Sequence, residues 1–186
     1  MNRKNLADDL IAILTAQPNL RRDLELVRSL NLPDWCIAAG YVRNAVWDNL
    51  HRYEIRTPLD DVDILFYDRS NLSEEYEKTL EKRLKSVNPQ PKWSVKNQAR
   101  MHIRNNEPEY SSTEDAMKRW PETATAVGVR LTDAGRLQVI APHGLEDLFG
   151  LNLRQSPFFK DREFFLSRVR NKGWLAIWPR LTLLDP

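Results

Sequence analysis

Asp61 and Asp63, separated by Val62 in the segment LDDVDILFYD (Leu59 to Asp68), are the residues of this chain best suited to do chemistry. Side chains alternate across a strand, so two carboxylates one residue apart project from one face, about 7 Å apart at roughly 3.3 Å per residue. Left alone they repel each other. A divalent cation removes that repulsion, and Mg²⁺ is commonly held by one or two carboxylates together with substrate phosphates. The competing reading is a solvated strand face. Asp is depleted in strands and adjacent like charges are costly, so the metal reading is preferred. The pair points to phosphoryl chemistry assisted by Mg²⁺ or Mn²⁺.

Gly40 lies 21 residues before Asp61, inside WCIAAGYVRNAVWDNL (Trp35 to Leu50). It falls where an apolar strand gives way to a helix, and a residue without Cβ lets backbone approach a ligand there. The helix that follows offers unpaired N–H groups and a positive dipole end, a natural seat for phosphate. Arg43 and Asn44, in its first turn, add side-chain donors. Taken alone, Gly40 could simply make a tight turn ahead of a core helix. Next to the paired aspartates it reads as a phosphate cradle beside a metal site.

These residues need a scaffold, and the hydrophobic spacing supplies one. Leu6, Leu10, Ile11 and Leu14 recur at helical spacing, Pro18 interrupts them, and Leu20, Leu24, Val27 and Leu30 resume it, which predicts an N-terminal helical hairpin against a sheet. Trp35 to Ala39 reads as a buried strand. A helix follows from Tyr41 to about Arg52, with Val42, Ala45, Val46, Asn49 and Leu50 inward. Val62, Ile64 and Phe66 form the apolar face of a second strand. Leu72 to Val87 is a charged helix stopped at Asn88-Pro89, and Trp93 to Gln98 is a third strand. Arg100 to Arg104 begins a short helix. Ser111 to Trp120 is a capped helix, with Ser112 or Thr113 as cap. Val127 to Leu131 and Leu137 to Ile140 form a hairpin, Gly144 to Phe149 a short helix, and Phe158 to Trp174 an Arg- and aromatic-rich helix. The class is α+β. One domain is expected over 1–186, with N-terminal helices in 1–32, a core in 35–156 and a C-terminal helix and tail in 157–186.

Composition narrows the functions. The 186 residues carry a formal net charge of +2 with both signs interspersed, and no basic stripe of the kind that tracks nucleic acid stands out. Cys36 is the single cysteine, so no internal disulfide or cysteine cluster can form, and a reducing compartment is expected. No apolar run approaches a membrane span, and MNRKNLADDL is too charged for a signal peptide. The expected location is the cytoplasm. His51, His102 and His143 have no ligand spacing and read as structural.

The pattern G-x-V-R-N (Gly40 to Asn44) followed by D-V-D-I (Asp61 to Ile64) resembles the DNA polymerase β-like nucleotidyltransferase superfamily. Its G-x-V-R segment is similar to the CCA-adding and poly(A) polymerase branch, which carries an acidic residue where this chain has Asn44. More specifically, VKNQARMHIRN (Val95 to Asn105), TEDAMKRWPETATAVGVRL (Thr113 to Leu131) and IAPHGLEDLFGL (Ile140 to Leu151) resemble a family of small bacterial nucleotidyltransferase proteins. The resemblance covers most of residues 35 to 175. It implies a mixed β-sheet core with flanking helices. It also implies transfer of a nucleoside monophosphate from an NTP (ATP, GTP, CTP or UTP) to a hydroxyl acceptor, with release of pyrophosphate. Asp61 and Asp63 would bind two divalent ions, and Gly40, Arg43, Asn44 and Lys96 the nucleotide. Lys96, Arg100 and Arg104 are read either as phosphate contacts or as surface cations, and Thr123 and Thr125 as caps rather than ligands.

Superfamily members usually add a third carboxylate from a neighbouring strand. The expected in-register residue here is Asn97, a neutral amide that can ligate metal but supplies no charge; Glu114, Asp115 or Asp133 are the other candidates. That departure keeps open a catalytically degenerate nucleotide-binding or regulatory protein of the same fold, and a structural module without nucleotide. The acceptor is a small molecule, a protein side chain or an RNA end; the absence of a basic stripe and of a long helical tRNA-binding domain argues against CCA addition.

Overall fold

Five strands pair in the order β3-β2-β1-β4-β5 in the computed structural model, which describes residues 5–184. β1 (Cys36–Ala38) is central and runs antiparallel to both β2 (Val62–Phe66) and β4 (Gly128–Leu131). β4 continues antiparallel to β5 (Leu137–Ile140), whereas β2 pairs in parallel with β3 (Trp93–Asn97). A parallel pair needs a crossover, and α4 (Glu74–Val87) supplies it. Ser73 caps α4 by accepting from Glu75 N–H, and the helix ends at Asn88, before Pro89. The mixed α+β sheet with flanking helices is as the sequence predicts.

The two sheet faces differ. Ile37, Ile64, Phe66, Val95 and Val129 lie in the main core with the inner faces of α1 (Leu6–Thr15), α2 (Leu20–Arg28), α3 (Gly40–His51) and α4. The N-terminal hairpin reaches this face through α1 against α3 and α2 against β4. On the opposite face Cys36, Ala38 and Leu65 form a smaller cluster with Met117 of α6 (Thr113–Lys118). Gly128 is required there, because a Cβ at that position would meet Cys36 Sγ at 2.9 Å.

The C-terminal region departs from the expectation of one helix over Phe158 to Trp174. α8 (Arg162–Asn171) stops, Gly173 adopts φ 63°, and a short α9 (Trp174–Ile177) follows. The turn lets the chain fold back over α3. Trp174 and Trp178 are buried edge-to-face against Trp47, with ring centroids 5.9 and 5.0 Å away. These tryptophans are core, and β7 (Thr182–Leu183) then pairs with β6 (Asn152–Leu153), which sequence reasoning did not identify. Because this tail covers α3, the buried residues of that helix include Trp47 and the polar Arg43, Asn44 and Asp48 as well as Val42 and Val46.

Candidate active site

β2 begins at Val62, so Asp61 precedes the strand and Asp63 is within it. Both nonetheless line one small cavity of about 140 Å³, together with Gly40, Arg43 and Asn44. The cross-strand neighbours of Asp63 are Ala38 on β1 and Ser94 on β3, both small, and this leaves room above the carboxylate. Asp61 makes no hydrogen bond or ion pair to the described residues. Burial, and then the negative charge of Asp61, push the Asp63 carboxyl up to about 6, against the pull of Ser94, Arg43 and Arg168. Asp61 and Asp63 thus remain close like charges, unpaired to the described residues, in a cavity that Arg43, Arg168 and Lys172 also line.

The strand-to-helix junction is strained, but one residue earlier than expected. Ala39 holds φ 54°, ψ −120°, a conformation suited to glycine, while Gly40 is already helical. A Cβ on Gly40 would sit in ordinary contact, 3.4 Å from Arg43 Nη2 and 3.5 Å from Leu59 Cδ2, so the protein alone does not demand glycine there. Ala39 N–H donates to Val127 O at 2.9 Å, and its own carbonyl accepts from Arg43 N–H at 2.9 Å, which fixes the turn. No side chain caps α3, so its first amides remain for solvent or an anion.

Arg43 is buried, and burial lowers its guanidinium to about 10, a value at which it is still charged. It lies 4.8 Å over the ring of Trp174 and 5.4 Å over that of Trp47. Arg43 Nε donates to Asn44 Oδ1 at 3.1 Å. The tail adds cations that the sequence reading did not assign to the site. Arg168 stacks on the same Trp174 at 5.6 Å and pairs with buried Glu122 at 2.9 Å, and Lys172 pairs with Asp60 at 3.0 Å. The available signal was the Arg- and Trp-rich tail itself; what was missing was the turn at Gly173 that brings it back.

Two assignments move away from the site. Asn97 pairs with Phe66, three residues beyond the Ser94 that faces Asp63. Its carboxamide caps α5 (Gln98–Asn105) by accepting from Ala99 N–H at 3.1 Å, accepts from Asp68 N–H at 3.0 Å, and donates to Asp68 O and Asn71 O. Those bonds engage both its Oδ1 and its Nδ2, and Ser94 takes the place beside Asp63. Lys96 pairs with Glu77 and Glu81, 3.5 Å from each, and Arg100 with Glu77 and Glu74. Lys96 ties α4 to β3, and Arg100 ties it to α5.

Of the other candidates, Asp115 accepts from Ser111, Thr123 donates to Asp147 and Thr125 to Glu122. His51 Nε2 accepts from Arg180 N–H, and His143 bonds Lys118 O. Among the described residues, no group of three or more His, Cys, Asp or Glu is arranged to hold a metal. What remains is a two-carboxylate donor set. Hard oxygen ligands of this kind suit Mg²⁺ or Mn²⁺ when phosphate oxygens and water complete the shell.

A positive-φ turn thus opens α3 beside the start of β2, where Asp61 and Asp63 lie, in a mixed five-stranded sheet with flanking helices. The family model described as Nucleotidyltransferase matches residues 25–183, and the chain belongs to that family. An NMR structure reported to reveal a CCA-adding enzyme head domain is 33% identical, covers 96% of each chain and superposes with a TM-score of 0.83. The Bacillus stearothermophilus CCA-adding enzyme in complex with CTP is 18% identical with a TM-score of 0.55, over 91% of this chain and 42% of that one. Another CCA-adding enzyme complex with CTP gives 16% and 0.52, over 96% and 49%. The chain thus spans less than half of these two enzymes, and at such identities the likeness is one of fold. No curated protein sequence matches the chain. No helix among the described residues is long and apolar enough to cross a membrane.

Proposed function

We propose that the protein transfers a nucleoside monophosphate from an NTP to a hydroxyl acceptor in a divalent-metal-dependent reaction. The observation that carries this reading is the pair Asp61 and Asp63, close like charges without an ion pair to the described residues, in one small cavity lined also by Arg43, Arg168 and Lys172. Asp61 and Asp63 would hold Mg²⁺ or Mn²⁺, which when bound offsets the charge of the phosphates and of the developing transition state. Arg43 and the open amides of α3 orient the triphosphate. Trp174 holds the Arg43 guanidinium in place and excludes water from its far side. Lys172, in an exposed pair with Asp60, is free to exchange that partner for a phosphate oxygen.

A second reading, a nucleotide-binding protein without turnover, is favoured by one observation. The in-register neighbours of Asp63 are Ala38 and Ser94, and Gly128 follows on β4, so none of these positions supplies a third carboxylate. A thermal-shift titration with each NTP, with and without Mg²⁺ or Mn²⁺, separates the readings when paired with pyrophosphate release. At a hundredfold excess over its dissociation constant a ligand of the folded state stabilises by about 2.7 kcal/mol. A metal-dependent shift lost in Asp61→Asn/Asp63→Asn supports the site. Pyrophosphate release then supports turnover, and a shift without release supports the second reading. No shift with any nucleotide rejects both.

A further inference from the structure

A second cavity, of about 440 Å³, lies against the first and shares with it the wall formed by Asn44 and the loop Thr57 to Asp61. Its volume is in the range that holds small ligands. Most of its charge is already spent inside the protein. Asp23 accepts from Tyr41 Oη at 3.0 Å, from Asn88 Nδ2 at 3.2 Å and from Arg22 at 3.0 Å. Asp48 accepts from Thr57 N–H and Oγ1 at 2.8 and 2.6 Å and from Trp178 Nε1 at 2.8 Å.

Three charged groups on this lining make no hydrogen bond or ion pair to the described residues: Arg56, Lys92 and Asp61. Asn44, only 6% exposed, accepts from Arg43 with Oδ1 while its Nδ2 makes no hydrogen bond to the described residues. An amide donor on a buried residue and two exposed cations, unpaired to the described residues, thus line a cavity that reaches one of the two aspartates. An anionic group would satisfy the cations, and a hydroxyl on the same molecule would then be held near Asp61.

We propose that this second cavity is the acceptor subsite, and that the acceptor is a small phosphorylated alcohol of the sugar-phosphate class. Its phosphate is held by Arg56 and Lys92, and its hydroxyl is turned toward Asp61 past Asn44. In the reaction the acceptor oxygen forms a bond to the α-phosphorus of the NTP, and the bond from that phosphorus to the bridging oxygen breaks. Pyrophosphate leaves, and the hydroxyl proton goes to water at the open mouth of the cavity; nothing is oxidised or reduced. The assignment rests on the transferase reading above, and the test keeps the two apart.

The experiment is calorimetric titration of the full chain with ribose 5-phosphate and glycerol 3-phosphate, each beside its unphosphorylated parent, in parallel with an NTP titration in Mn²⁺. Transfer from α-labelled NTP is followed to the same compounds and to a short oligoribonucleotide with a free 3′ hydroxyl. We expect a phosphorylated compound to bind and accept label, its unphosphorylated parent to do neither, and Arg56→Ala/Lys92→Ala to weaken that binding at least about tenfold while NTP affinity is kept. The proposal is overturned if NTP binds but no phosphorylated compound does, or if the double variant leaves their affinity unchanged. It is also overturned if label goes only to the oligoribonucleotide, which would make the acceptor an RNA end. Loss of all NTP binding would instead remove the transferase reading, with the sugar-phosphate titration still judging the cavity.

Discussion

Two acidic side chains on the neighbouring elements β2 and α4 are both largely withdrawn from water, yet they are treated in opposite ways. Glu77, on α4, is 1% exposed and fully engaged. It accepts from Asn97 N–H at 2.8 Å and from Arg100 Nε and Nη2 at 2.8 and 2.7 Å, with Lys96 at 3.5 Å. Asp63, on β2, has a like charge two residues away and no ion pair to the described residues, and burial outweighs the pull of Arg43 and Arg168. The first carboxylate spends its charge holding α4, β3 and α5 together. The second keeps its charge unspent, which costs stability and leaves it available to a cation. Burial alone does not mark a functional acid; the balance of its partners does.

The comparison can be broken at either end. Glu77→Gln should be the most damaging, because it leaves the Arg100 guanidinium without its main partner in a half-buried setting. A loss of about 3 kcal/mol is expected, read as a lower urea midpoint, with nucleotide binding retained in the folded fraction. Asp63→Asn should act in the other direction. A carboxyl raised to about 6 when folded, against an ordinary aspartate value of 3.8, destabilises the fold whenever it is ionised. The penalty is complete above about pH 6, fades as pH falls toward 4 and is absent below. At neutral pH without metal the variant should therefore be more stable by about 2 kcal/mol, and metal-dependent nucleotide binding should disappear. Equal stability of the two proteins across pH 4 to 8 would contradict the uncompensated-charge account. Ala39→Gly should be mildest, a gain of about 1 kcal/mol from relief of the positive φ, measured as a small upward shift in melting temperature.

The sequence made the strands readable because their periodicity is unambiguous. Val62, Ile64 and Phe66 alternate with Asp63 and Leu65, so the face on which Asp63 projects follows without coordinates. The offset between β2 and β3 did not follow. The strand pattern suggests Asn97 as the neighbour of Asp63, but Val62 N–H bonds Lys92 O and Ser94 occupies that place. Parallel register is set by how the crossover helix docks, and here that depends on the contacts of Glu77, which no local pattern records. The elements that carry Gly40, Arg43 and the aspartates could be placed from sequence spacing. Arg168, Lys172 and Trp174 could not, because their arrival depends on one left-handed turn at Gly173 and on the fit of two indoles around Trp47.

That fit has a consequence for how the protein acquires its shape. Asp48 and Trp178 are 130 residues apart along the chain, and their hydrogen bond joins α3 to a segment made after all five strands of the main sheet. Contacts of such long sequence separation pay their loop-closure entropy before they are rewarded, so they form late. During synthesis the aspartates of β2 emerge well before the cationic and aromatic wall that faces them. The sheet can pair at that stage, but the pocket around Arg43 closes only once Trp174 and Trp178 have emerged, so the cavity is completed after the sheet that floors it.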